Sequence, residues 1–493
     1  MAAQTHVDFG GIRRPQGTLG AAPLDPYRGP LTPRSAAHLL RRAGFGGTPD
    51  DVTRYASMSI DEAVESLVRF PSTAGLPAPD DLYSPLPLLD QYGGARGYKA
   101  LSMDDRKALN KQIRGDEYKS IISMQLWWLN RMLNTPAPLQ EKMTLRFHGH
   151  FVSTPIQKSV SPVMMYNQLQ LFRQYALGNL RELTRNVSKD AAMLCYLDGR
   201  GNVKGNPNEN YARELMELFT LGVNQYTEND VRESARAWTG WRFNNFTEAV
   251  TFAPRFHDDG VKTFLGQTGN FTGDNVVNII FEQPQCARFF AAWLLSGLVY
   301  DDPEPDLVDG VAALLRKHDY ELAPVISAIL RSNVFYSNRA YRALVKSPVE
   351  FVVGTYKTLG LTQIDARVQP ALKQMGQDLF NPPNVAGWPG GENWITSVTM
   401  LARQNFLART IDSETIGQSS WLHTLPLKAP AASKALLGAI LQDDAAPAAA
   451  FELEGYLGGA GSSALAELSM ENYDERISGA AYLALAMPAY QLA

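Results

Sequence analysis

The sequence predicts a mainly α-helical protein, a multi-helix globular chain with a small β-hairpin or insert and long Pro/Gly-rich loops. Three observations carry that prediction: apolar residues recur at helical spacing along most of the chain, strand-like alternation is scarce, and Gly and Pro punctuate the helical stretches. A chain of 493 residues exceeds the size at which one core usually stops growing, so two packed lobes are expected, with one very large domain as the alternative. Apolar residues at 45% and charged residues at 19% are ordinary globular proportions, sufficient for a sizeable core.

Residues 1–32 are rich in Gly and Pro and lack periodicity, which reads as an extended arm. Thr32 then caps a helix with Pro33 at its first position, and Gly44 and Gly46 stop it. A second helix is predicted over 59–69, and the stretch 71–97 reads as a long loop. A long helix over 104–133 ends before Thr135-Pro136, and the next begins near Pro138. Further helices are predicted over 162–186, 208–221, 227–238, 284–298, 305–317, 321–332, 348–359 and 399–411. Trp241 to Phe252 is the hairpin candidate. Residues 429–493 form a tail enriched in Ala and Gly, read as weakly specified small-residue helices.

Several functions are set aside by composition and motif. The net charge is -4 and the basic residues are scattered, so the electrostatic footprint of a nucleic-acid binder is missing. No apolar run approaches the length of a membrane-spanning helix. No P-loop, GxSxG elbow, HExxH helix or strand-linked GxGxxG occurs, so no nucleotide cofactor is implied. Cys195 and Cys286 are too few for a disulfide framework and are expected as two buried thiols. Arg13-Arg14 has no hydrophobic core after it, so the amino terminus is not an intact signal peptide; the protein stays inside or its leader was removed.

Chemistry concentrates in four stretches. In Glu141 to Phe151, Glu141 and His148 are two helical turns apart and share a face. His148 and His150 converge only if Gly149 ends the helix, and with that break both imidazoles can turn toward one ion such as zinc, iron, copper or manganese. The alternative has one ring at a helix C-terminus and the other packed among aromatics. In Asn206 to Gly222, Asn210, Glu214 and Glu217 form a polar stripe with Arg213 beside it. Such a stripe ordinarily faces water, but the strongly apolar surroundings predict burial of at least one carboxylate.

In Phe256 to Gly266, His257 and Asp258 can serve as base and orienting partner or as further ligands, or can form a solvated turn. Asn381 to Trp394 carries Trp388 and Trp394 on a loop, which can stack on a flat ligand or plug an interface.

These phrases, taken with Leu39 to Gly46, Trp238 to Trp241 and Lys346-Ser-Pro-Val-Glu350, resemble in order and length the bacterial family known as domain of unknown function 1800, across residues 36–411. The resemblance implies that residues 33–428 are the helical core of that type. It also implies export to the periplasm or medium, and a secreted partner similar to alkaline phosphatases and sulfatases.

Two functions are expected. The first is a metal-dependent enzyme, hydrolytic toward an envelope polymer or small ester, or oxidative with iron or copper. In it His148, His150 and Glu214 bind a divalent transition metal, Glu217, His257, Asp258 and Arg213 act in catalysis, and Asn210, Trp388 and Trp394 bind substrate. The second is a noncatalytic secreted module held together by a buried Arg/Glu/His network.

Overall fold

Helix starts are written locally in the chain. Thr32, Thr48, Ser59, Thr227, Ser347 and Thr396 each accept a hydrogen bond from the backbone three residues on, in reciprocal capping boxes. Pro stands in the first turn of Pro33–Arg42, Pro138–His150, Pro162–Gln174, Pro284–Leu298 and Pro348–Leu359, where its missing N–H costs nothing. The computed structural model describes residues 22–70, 77–155, 160–458, 468–469 and 471–493. Among them the fold is mainly α, with two small antiparallel hairpins.

The predicted hairpin is present, Trp241–Asn244 pairing with Ala249–Phe252 in the register Trp241 to Phe252. A second, Lys262–Phe264 with Gln267–Gly269, follows it. Three expectations need correction. The stretch read as a loop over 71–97 carries Leu86–Gln91 and the start of Gly94–Ala100, residues 71–76 of it lying outside the described residues. The helix expected over 162–186 is two, Pro162–Gln174 and Leu180–Val187, because Asn179 caps the second with its side chain. The described helices of the tail are firmly packed, since Ala429–Leu441 and Tyr473–Ala486 bury Leu436, Leu437, Ile440, Ile477 and Leu485, residues 459–467 and 470 lying outside the described residues.

Buried apolar side chains form one connected cluster from Leu31 to Tyr490. Residues 22–32 lie along the 331–334 segment, with Tyr27 N–H donating to the Arg331 carbonyl. The last residues run beside 344–346 through Lys346 N–H to Gln491 O and Ala493 N–H to Leu344 O. Helix Pro138–His150 sits in the middle, packed against Met103–Asn134, Pro162–Gln174 and Ile60–Val68. Nine of its thirteen residues are buried, four of them polar or charged apart from His148, so this helix must find polar partners inside the protein. No described helix is long and apolar enough to cross a membrane.

Candidate functional site

Helix Pro138–His150 presents two different polar stripes. The first contains Glu141 and His148, the pair expected to share a face. Both meet Trp128: Glu141 accepts the indole N–H at 2.9 Å, and the His148 ring stands edge-on to the indole, 5.4 Å away. Glu141 also accepts from Arg131 Nε at 2.5 Å and from Arg173 Nε and Nη2 at 2.7 and 2.9 Å. Burial alone would raise this carboxyl, but the two guanidiniums outweigh it and hold the pKa below the usual carboxylate range.

His148 Nε2 accepts the Phe380 backbone N–H at 3.1 Å, so its neutral ring is protonated at Nδ1. Enclosed by Trp128, Phe380 and Trp388, the ring is pushed by burial down to about 3.

The second stripe is Lys142, Arg146, Gly149 and His150, and it lines a cleft of about 410 Å³. The helix runs without a break through His150, so Gly149 does not end it, and the two imidazoles point to different surroundings. His150 Nε2 lies 3.0 Å from the carbonyl of Phe219, which only accepts, so Nε2 carries the proton. It thereby satisfies a carbonyl at the C-terminal end of the neighbouring helix, amid Phe151, Phe289, Phe290 and Trp293. Burial lowers its pKa to about 4.

Cations dominate the cleft wall. Lys142 donates to the carbonyls of Arg41 and Gly44 and pairs with Glu350. Arg146 donates to the Trp293 carbonyl and lies over that indole with its guanidinium carbon 4.4 Å from the ring centre. Gly297 makes this possible, because a Cβ there would overlap the guanidinium. Arg42 is 1% exposed and donates from Nη2 to the Ala340 carbonyl.

The Nε and Nη1 of Arg42 and the Nε of Arg146 have no hydrogen-bond partner among the described residues. Burial lowers these two arginines to about 9 and about 10, with Glu350 and Asp301 acting the other way. The opposite wall is the 386–394 loop. Gly387, at φ +81°, brings it so close to the Gly149 carbonyl that a side chain would not fit. Trp388 and Trp394 from this loop both face the cleft, the first half-buried and the second buried.

The remaining sequence candidates lie apart from it. Arg213 pairs with Glu228 at 2.7 Å and Glu209 at 3.4 Å, Glu217 accepts from the Tyr226 hydroxyl, and Asn210 is exposed. Glu214 is half-buried and raised first by burial and then by Glu217. The predicted burial of one of these carboxylates is therefore met only halfway, since neither is enclosed. His257 is buried against Phe252 and hydrogen-bonds the Thr239 carbonyl through Nδ1. Asp258 is clamped by Arg236, which holds its pKa at about 2.

No hydrogen bond, ion pair or ring contact among the described residues joins His257 or Glu214 to His148 or His150. Nor do three His, Cys, Asp or Glu side chains among them gather as a metal-holding group. Cys195 and Cys286 are free, buried thiols. Sequence reasoning missed Arg42, Lys142, Arg146 and Glu350, although the i, i+4, i+7, i+8 spacing of Lys142, Arg146, Gly149 and His150 marks one helix face.

The family model described as protein of unknown function (DUF1800) matches residues 38–492. The chain belongs to the DUF1800 family. No curated protein and no solved structure matches it. The DUF1800 match takes in Arg42, Lys142, Arg146, Glu350 and both cleft tryptophans, so these charged and aromatic residues of the cleft all belong to the family region.

Proposed function

We propose that the protein binds an anionic small molecule, or the anionic end of a polymer, in the cleft between helix Pro138–His150 and the 386–394 loop. The observation that carries this reading is the pair of arginines on the cleft wall, Arg42 and Arg146, with guanidinium N–H groups that have no acceptor among the described residues. A buried donor without an acceptor is costly, and a carboxylate, phosphate or sulfate supplies acceptors to several at once. Trp388 offers a ring face for the rest of the ligand, and the cleft volume is that of a small-molecule site. A secreted partner of the phosphatase and sulfatase kind, expected from the family resemblance, handles anions of this class.

Binding is favoured over acid–base turnover because the one imidazole on the cleft wall, His150, is neutral at pH 7 and too weak a base at about 4. The metal-dependent hydrolase requires His148, His150 and Glu214 to converge, whereas His148 meets the Phe380 N–H, His150 meets the Phe219 carbonyl, and Glu214 stands half-buried beside Glu217. Thermal melting of the protein in sulfate, phosphate, glucuronate and uncharged glucose, at constant ionic strength, tests the reading. At least one anion should raise the melting temperature where glucose does not, and Arg146→Gln should abolish the rise. Equal responses to all four would refute it. Stoichiometric zinc, iron, copper or manganese in protein purified without chelator would return the metal enzyme to first place.

A further inference from the structure

In the Lys346-Ser-Pro-Val-Glu350 phrase, Ser347 and Glu350 line the cleft of Arg42 and Arg146, while the lysine takes an unusual position beside it. Lys346 is 5% exposed and lines a small adjoining pocket of about 30 Å³, which shares Glu350 and Ala493 with the cleft. Its Nζ lies 3.5 Å from the centre of the Tyr490 ring, and no hydrogen bond or ion pair reaches that nitrogen among the described residues.

Two guanidiniums share its pocket and a third reaches its backbone. Arg41 of helix Pro33–Arg42 and Arg342 of the segment before Lys346 line the pocket with it, and Arg403 of helix Ser397–Thr410 donates to the Lys346 carbonyl. The acidic side chains nearby are already engaged: Glu350 pairs with Lys142 and caps its own helix through Ser347, and Asp444 holds Arg342 and Tyr341.

Several donors in this cluster are also idle. Arg41 donates to Gln442 at 2.7 Å, but its Nε and Nη2 are buried without a partner. Arg403 spends its Nη groups on Gln491 and on the Lys346 carbonyl, leaving Nε unpartnered. The interior therefore holds three guanidiniums and several empty donor positions near one amine, an arrangement that favours a negative charge there.

We propose that Lys346 is a carbon dioxide acceptor whose Nζ becomes an N-carboxylate enclosed by Arg41, Arg342 and Arg403. The nitrogen lone pair attacks the carbon of dissolved carbon dioxide, one C=O electron pair moves onto oxygen, and the nitrogen gives its proton to water. Nothing is oxidised or reduced. The lysine side chain passes from a cation or neutral amine to an anion, and its two new oxygens accept from the idle guanidinium donors. The pocket has room for about two waters, which admits carbon dioxide.

The amine is available for attack at neutral pH because burial first, and then Arg41, Arg342 and Arg403, push its pKa well down, against a weaker pull from Glu350. Tyr490 contributes only its ring face.

The full chain equilibrated with ¹³C-bicarbonate at pH 8 should show one carbamate resonance in its carbon NMR spectrum, absent from Lys346→Met. Its melting temperature should be higher in bicarbonate than in chloride at equal ionic strength, and Lys346→Met should lose that difference. If Lys346→Met does not fold, the wild type is alkylated with an oxonium salt, digested and mapped by mass spectrometry; an ethyl carbamate on the Lys346 peptide supports the proposal. No resonance, a resonance that survives in Lys346→Met, an unmodified Lys346 peptide, or equal stabilisation by chloride would each overturn it.

Discussion

The Glu141 to Phe151 and Asn208 to Val223 phrases carry the same kinds of side chain on helices, yet the structure treats them in opposite ways. In the first, Glu141 is fully buried and bound by Arg131, Arg173 and Trp128, while Lys142 and Arg146 of the other stripe form a cleft wall. In the second, Tyr211, Leu215, Met216 and Phe219 turn inward, and Arg213, Glu214 and Glu217 keep one side in water with neighbours such as Glu228 and Tyr226. Helix Pro138–His150 buries nine of its thirteen residues, Glu141 and Lys142 among them, whereas the second phrase leaves Arg213, Glu214 and Glu217 partly exposed. A charged residue becomes a candidate for function when the fold removes its alternatives to a particular partner, and only the first phrase meets that condition.

The difference breaks first at Glu141. Replacing it by Gln leaves Arg131 and Arg173 facing each other without their shared carboxylate, which should cost about 3–5 kcal/mol and lower the melting temperature plainly in a thermal scan. An unchanged melting temperature would show that the buried network holds nothing together.

Acid sharpens the contrast. His148 stays neutral in the folded state down to about pH 3 because it is buried, whereas in the unfolded chain it takes up a proton below about pH 6.5. Its contribution is complete above about pH 6.5 and is lost, at about 1.4 kcal/mol per pH unit, as the pH falls toward its folded value. Glu141, lowered by its arginines, adds a second loss that begins only near pH 4.3, where the unfolded carboxyl protonates. His148→Gln should therefore lower the slope of stability against pH between 6.5 and 4 by about 1.4 kcal/mol per pH unit, leaving the share that His150, lowered to about 4, supplies and the further loss below it. Parallel curves for variant and wild type would contradict the buried, neutral ring.

The smallest effect belongs to the second phrase. Glu214→Gln and Arg213→Gln should each change stability by no more than about 0.5 kcal/mol, because exposed pairs are screened and water replaces the lost partner. A loss of several kcal/mol measured by denaturant titration would move this helix into the same class as the first.

Much of the fold was legible because its signals are local. Thr32-Pro33, Ser59 and Thr227 start helices where the chain says they should, and Trp241 to Phe252 turns back as a hairpin. The candidate site was only half legible. The Glu141 to Phe151 phrase does carry one wall of the cleft, but Gly149 was expected to break the helix. In fact its propensity cost, about 1 kcal/mol, is outweighed by burying the helix on nearly all sides. Once the helix continues, His148 and His150 cannot share an ion, and Lys142, Arg146 and His150 become the face that matters. Which face looks into the cleft is decided by Arg42, Glu350 and the 386–394 loop, all far away in sequence, and no periodicity within the helix contains that information. His257 and Asp258 are placed by residues outside their own phrase for a similar reason, since Arg236 and Thr239 from the preceding helix and turn bind them.

The most direct test of the cationic cleft is the affinity of its best anion, read by quenching of tryptophan fluorescence, in the wild type, in Arg146→Gln and in Arg213→Gln. Arg146→Gln should weaken binding by tenfold or more, the loss of about 1.4 kcal/mol from one charge-assisted contact, while Arg213→Gln binds as the wild type does. Equal affinity in wild type and Arg146→Gln, or a loss confined to Arg213→Gln, would contradict the assignment of the site to helix Pro138–His150.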